Sequence, residues 1–383
     1  MTSRTPAKIG RWLLAAIMLV ALLAPLLADD KPLLVRTAGH WSSPVARSLA
    51  NPRSSEAPGV NAVFNAALLV LPLALIGLSV RRILRFDRRR WLVGTGVVAA
   101  AAISVVSIWM LQQRPINFAR LQYKQKAAAP ADGDWYLFPP VAFSPARGAG
   151  ESPLEPASWR HPLGTDAIGR DVLTRILHGA RISLAVGLAS VLVSMLVGVT
   201  LGALAGYFRG WVDSLIMRTV EVFICFPVLV LILTLLAFWR GASLLVLMLV
   251  IGLTGWTKAA RQVRGEFLRQ RALDYVAAAE ALGVRPLRVV FVHVLPNAIQ
   301  PALVTATFGV AAAILYESTL SFLGLGVPPP APSWGGMIYD ASRYVGSHPQ
   351  LALWPGLAIF LTIVSYNLVG EGLRDALDPK LRQ

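Results

Sequence analysis

Apolar residues along this chain gather into eight long runs, at 12–28, 63–80, 91–112, 182–206, 214–239, 243–260, 299–325 and 351–371. A helix needs about 20 residues to cross a bilayer, so the pattern predicts an all-α, polytopic membrane bundle of eight spans. Arg4, Lys8 and Arg11 precede the first run as they would in a secretory leader. The run is long, however, and Leu26 with Ala28 makes a poor small-x-small cleavage site, so it reads as an uncleaved span. Two stretches are too polar to cross. Residues 127–160, rich in Ala, Pro, Gly and Ser, read as an extended external loop with little regular structure. Residues 261–298 have helical composition, and Gly283 and Pro286 interrupt it near the middle. That predicts two short helices at an angle, with Pro296 leading into the next span.

Composition agrees with this layout. Hydrophobic residues make up 55% and charged residues 15% of 383, against about 25% charged in soluble domains, which argues against a water-soluble enzyme. A net charge of +16 would suit nucleic acid, but its distribution follows the connections between spans. The stretch RRILRFDRRR at 81–90 carries six Arg and one Asp, and basic loops face the cytoplasm. Alternation then puts 29–62 and 113–181 outside and 207–213, 261–298 and 372–383 inside, with both termini cytoplasmic. The excess charge thus records topology, and no nucleic-acid partner is expected.

Catalytic chemistry is scarce. None of the six lysines is followed by Ser or Thr, so the chain lacks a P-loop. It contains no His-Glu-x-x-His and no Gly-x-Ser-x-Gly, and its five histidines are scattered. Neither cofactor nor metal is expected in this chain, and an intramembrane enzyme would lack a nucleophile and base. The lone Cys225 reads as a small buried hydrophobe. Acidic residues within spans are costly and usually placed for a purpose. Glu221 and Glu317 are therefore gate or pathway candidates, Glu317 reading equally well as a carboxyl hydrogen-bonded to a neighbouring helix. Glu371 closes the last run and reads as interfacial. The two carboxylates are read as isolated from basic partners, which disfavours a proton-coupled secondary transporter. Such a carrier should also show inverted repeats, and none is visible. Ser194, Thr200, Thr305, Thr307 and Ser318 are polar enough to line a path, but Ser and Thr also join helices.

The run Ala277-Ala278-Ala279, three residues to Gly283, nine to His293, then Leu295-Pro296, resembles the EAA loop of binding-protein-dependent ABC importer permeases. Ala277 stands where that motif usually has Glu, with Glu280 one turn later. HPLGTDAIGRDVLTRILHGARISL at 161–184, LYESTLSFLGLGVPPPAPSWGGM at 315–337 and NLVGEGLRDALDPKLRQ at 367–383 narrow the resemblance to the dipeptide/oligopeptide/nickel branch and its C-type permease. The resemblance implies a six-span core, whose ATPase subunits carry ATP and Mg, and an EAA loop that forms a coupling helix on them. It further implies a homologous second permease, two P-loop ATPases, an extracytoplasmic binding protein and a bacterial inner-membrane location. Peptide is the cargo of most of the family, with nickel or another small solute as the alternative.

On this reading 1–28 is the first span, 29–62 an external loop, and 63–112 an inserted transmembrane hairpin that makes the chain a long form. Residues 113–181 form an external loop with an interfacial segment at Val172, Leu173, Ile176 and Leu177. Residues 182–383 form the permease core. A pore subunit without nucleotide-binding residues responds to ATP only through a rigid contact that biases two packings of its bundle. Tyr275, Leu282 and Leu287 would supply the apolar docking surface, and Ala277, Ala278 and Ala279 would allow close approach.

Overall fold

The computed structural model describes residues 4–37, 39–70, 88–114, 123–128, 130, 133–148, 152–239 and 243–377. The latter half of the expected span 63–80, most of the basic connection 81–90 and residues 378–383 lie outside them. Among the described residues six helices are long and apolar enough to cross a membrane, or seven with one bent pair counted as a span. They are α1 (Arg4–Leu27), α4 (Arg88–Gln112), α6 (Val172–Phe208), α9 (Leu244–Gln270), α13 (Gln300–Phe322) and α15 (Gln350–Leu377). The bent pair is α7 (Gly210–Cys225) with α8 (Val228–Phe238), which meet at 91°. Pro58–Val70, α3, is a shorter apolar helix, and α2 (Pro44–Ala50), α5 (Tyr123–Ala128) and α14 (Trp334–Ala341) are short helices outside the candidate spans.

Several expected boundaries shift. The run 214–239 is broken at Phe226, whose extended backbone (φ −99°, ψ 136°) precedes Pro227. The proline ring clashes with an α-helical residue before it, and the helix stops there. Cys225, expected to be buried, is exposed beside this break. Val172–Leu177 is not a separate interfacial helix, because α6 runs unbroken for 37 residues from Val172. Helix α9 continues to Gln270, ten residues beyond the expected end of its span.

The chain divides into two compact units, one of residues 1–16, 183–328 and 356–383, the other of 17–182 and 329–355. In the first, α6 and α9 lie parallel along a seam of small residues. A Cβ on Gly198 would meet Trp256 O at 2.6 Å, one on Gly202 would meet Ala260 O at 2.5 Å, and one on Gly206 would meet Phe267 Cβ at 2.5 Å. Gly252 and Gly255 of α9 extend the seam against Ser190 and Ser194. Small residues every fourth position let backbones approach where lipid gives no hydrophobic drive for association. Helix α13 runs antiparallel to α6, since Gly309 faces Val191, Gly187 faces Val310 and Ile314, and Ser183 lies beside Glu317. Gly10 of α1 packs on Leu368, and Gly372 of α15 packs on Ala7. These contacts bring the start of α1 alongside the end of α15.

The second unit contains the one exception to an all-helical layout among the described residues. Strands β1 (Leu34–Thr37), β2 (His40–Ser42) and β3 (Trp135–Leu137) form an antiparallel sheet in the order β2-β1-β3. Both of its segments read from sequence as loop. Arg181 is buried here and organises three segments. Pro25 has no N–H to give Ala21 O, and Arg181 Nε donates to that carbonyl at 2.6 Å while Nη2 donates to Leu22 O at 2.8 Å. Its Nη1 donates to Asn61 and Asn65 Oδ1 at 3.1 and 2.8 Å, one turn apart on α3. Further along, Arg170 and Arg175 both bridge Asp166 and Asp340, at 2.6–3.1 Å. Burial holds the Asp340 carboxyl above its usual range, with Asp166 adding to the effect and Arg170 opposing it.

Candidate coupling site

The segment after α9 turns through Arg271–Leu273 into α10 (Asp274–Ala281). Asp274 stands in its first turn, where a carboxylate complements the helix dipole. Val276 and Ala279, three residues apart, are buried and share a core with Tyr207, Val263, Phe267, Val289, Val290 and Val294. Gly283 ends the helix at φ +72°. Val284 N–H donates to Ala279 O at 3.2 Å and Gly283 N–H to Glu280 O at 3.0 Å. This pair of bonds satisfies carbonyls that the helix end would orphan and demands a left-handed residue at the cap. Val284, just past the cap, packs on the same core.

Pro286 then begins a short turn, α11 (Pro286–Arg288), followed by a wider turn over Val289–Val294 and α12 (Leu295–Ala298). Leu295 N–H donates five residues back to Val290 O. The expected pair of angled helices is therefore one helix of eight residues followed by a run of shorter turns into α13.

Polar contacts fix α10 to the rest of its unit. Tyr207 Oη, at the end of α6, donates to Glu280 Oε1 at 2.9 Å. Arg271 Nη1 donates to Tyr207 O at 2.5 Å, and its guanidinium lies 5.2 Å from the Tyr207 ring centre. Tyr275 Oη donates to Gln270 Oε1 at 2.9 Å. Arg264 grips Asp213 with Nε at 2.5 Å and Nη2 at 2.6 Å, a bidentate geometry that holds α7 to α9.

The outward side carries apolar residues beside the charged Asp274, Glu280, Arg285 and Arg288. Leu282 is 83% exposed, and Tyr275, Leu287, Ala277 and Ala278 are exposed as well. Ala279 belongs instead to the buried face. Leu295 and His293 are half-buried and Pro296 is exposed. The fold thus brings Tyr275, Ala277, Ala278 and Leu282 together around one rigid helix, with Leu287 following on the next turn. Sequence reading missed Tyr207 and Arg271, because nothing local marks side chains whose partners lie 73 and 64 residues away.

The two in-span acids lie apart from this surface and differ from each other. Glu221 is exposed and pairs with Arg218 at 2.8 Å, so the expectation that it lacks a basic partner is corrected. Residues 218 and 221 are neighbours on a helix surface. Glu317 is fully buried and accepts from Ser321 Oγ at 2.8 Å. It lies inside the bundle rather than on an exposed face. Thr305 Oγ1 donates to Gln262 Oε1 at 2.5 Å, joining α13 to α9, whereas Thr307 Oγ1 donates to Val304 O at 2.7 Å within α13.

Residues 198–383 match the family of binding-protein-dependent transport system inner membrane components. The dipeptide transport system permease protein DppC of Alkalihalophilus pseudofirmus is 40% identical over 229 residues, 60% of this chain and 75% of that protein. The glutathione transport system permease protein GsiD of Pectobacterium atrosepticum is 42% identical over 228 residues, again 60% and 75%. The di/tripeptide transport system permease protein DppC of Pseudomonas aeruginosa is 40% identical over 254 residues, covering 64% and 84%.

Proposed function

The chain belongs to the family of binding-protein-dependent transport system inner membrane components, and from that premise we propose that its cargo is a short peptide and that α10 couples it to an ATPase. As a multi-pass permease subunit of a bacterial ABC importer it is a transport component without catalytic activity. Its relatives are named for dipeptides, di- and tripeptides and glutathione, and all of these are short peptides.

One observation carries the coupling role. Helix α10 is capped, cored on Val276 and Ala279, and tied to α6 through Tyr207, yet it presents Leu282 at 83% exposure. A rigid helix with an uncovered apolar tip is suited to transmit displacement from a partner into α6, α9 and α13. In this reading one of two P-loop ATPase subunits docks there, ATP and Mg stay on those subunits, and a homologous permease completes the pathway. An extracytoplasmic binding protein delivers the peptide. Basic connections place α10 and both termini in the cytoplasm, and the packing of Ala7 on Gly372 supports a common side for the termini. Residues 63–112 are an inserted hairpin in this scheme, and Arg181 pins its first helix through Asn61 and Asn65.

The test is co-purification of the tagged chain with its ATPase, followed by peptide uptake in proteoliposomes. Leu282→Asp should leave the permease folded and abolish ATPase association and uptake. Retention of the ATPase by that variant, with normal uptake, would overturn the assignment.

A further inference from the structure

We propose that the outer face of the β2-β1-β3 sheet is a membrane-interface foot, seated among the lipid headgroups of the leaflet where α1 ends. The pairing Arg36↔Trp41, Arg36↔Trp135 and Leu34↔Leu137 puts these five side chains on one face, because directly opposed residues share a side. Val35, between them, is buried on the other side. All five are exposed; Trp41 is 60% and Trp135 45% accessible. The two indole rings meet edge to face at 5.7 Å, and Arg36 lies 5.8 Å from the Trp41 ring centre.

The position of this face selects its occupant. The sheet is bonded directly to the end of the first span: Val141 N–H donates to Leu27 O, Asp29 N–H to Val141 O, and Leu33 N–H to Leu137 O at 2.6 Å. Along this face of β1, in chain order from the end of the span, come a leucine pair and then two tryptophans with an arginine. Apolar, then amphipathic aromatic and cationic, is the order a bilayer presents from acyl chain to headgroup. Tryptophan is enriched at that depth, and a guanidinium there meets lipid phosphate. A protein partner would impose no such ordering relative to the span.

Hydroxyl-radical footprinting of the wild-type full chain in phosphatidylcholine/phosphatidylglycerol nanodiscs tests this, with Trp159 as an internal standard for a fully exposed ring. Fractional exposure alone predicts that Trp41 and Trp135 oxidise about twofold slower than Trp159. Lipid cover should make them at least roughly tenfold slower with no other protein present. Oxidation at the twofold level in lipid overturns the proposal. Protection that appears only when the binding protein is added overturns it as well and assigns the face to that protein. Neither result bears on the coupling role of α10, whose test is separate.

Discussion

Tyr207 Oη donates to Glu280 Oε1 at 2.9 Å, joining the last turn of α6 to the middle of the 261–298 segment. Because α6 also carries the glycine seam with α9, this bond links α10 to two packed spans. Tyr207→Phe removes one hydrogen bond, worth about 1 kcal/mol, and leaves α10 less firmly held. Peptide uptake per ATP hydrolysed in proteoliposomes should fall several-fold. Glu280→Gln keeps an acceptor for Tyr207 and should retain more coupling than Glu280→Ala.

Gly283 has φ +72°, and a Cβ there would meet nothing within 4 Å. The constraint is conformational rather than steric, so Gly283→Ala should cost about 1–2 kcal/mol from the left-handed backbone alone. Asn tolerates that region better, so Gly283→Asn should melt between wild type and Gly283→Ala. Melting temperatures in detergent would check the ranking, and Gly283→Pro should uncouple ATP hydrolysis from uptake.

Two glycines on the packed helices α6 and α9 separate seam from surface. Gly202→Ala places a methyl 2.5 Å from Ala260 O, forcing α6 and α9 apart at a cost of about 1–3 kcal/mol. At Gly265 of α9 nothing lies within 4 Å, and alanine there should stabilise the helix by up to about 1 kcal/mol. Opposite shifts in melting temperature are expected from the same chemical change.

Arg181→Met should be the most damaging of these substitutions. It strands the Ala21 carbonyl, whose helical donor Pro25 lacks, and the buried Asn65 oxygen, each costing about 1–3 kcal/mol. Limited proteolysis should then open the segment around α3, which Arg181 holds through Asn61 and Asn65. Restoring the Ala21 donor with Pro25→Ala should recover part of the loss.

Asp30 carries a pH signature. Burial, and next the neighbouring Asp29, push its carboxyl from 3.8 up to about 6, against the pull of Lys31 and Arg147. Between those values the folded chain holds a proton that the unfolded chain has lost. Stability from this group therefore falls as pH rises from about 4 to about 6 and is level above that. Asp30→Asn removes the dependence. Its melting temperature should match wild type near pH 4 and exceed it by a constant margin above pH 6.

Much of this molecule is legible in one dimension, because bilayer spans and helix caps are local properties of a chain. The apolar runs that became α1, α9, α13 and α15 could be read directly, and so could Gly283 as a helix stop. Other features depended on partners far along the chain. Helix α9 reached Gln270 because Val263 and Phe267 are packed against Ala203, Tyr207 and Val276, which hydropathy along α9 alone does not register. Strands Leu34–Thr37 and Trp135–Leu137 looked like loop because each is too short to show alternation; only their pairing across 100 residues makes a sheet. The Arg181 site needed Pro25, Asn61 and Asn65 together, and none of them signals the others. The amino-acid sequence by itself determined which runs are apolar enough to cross a bilayer and where α10 must stop. Tertiary structure alone decided which buried polar groups satisfy one another, because a hydrogen bond between distant residues is set by the packing that brings them within 3 Å.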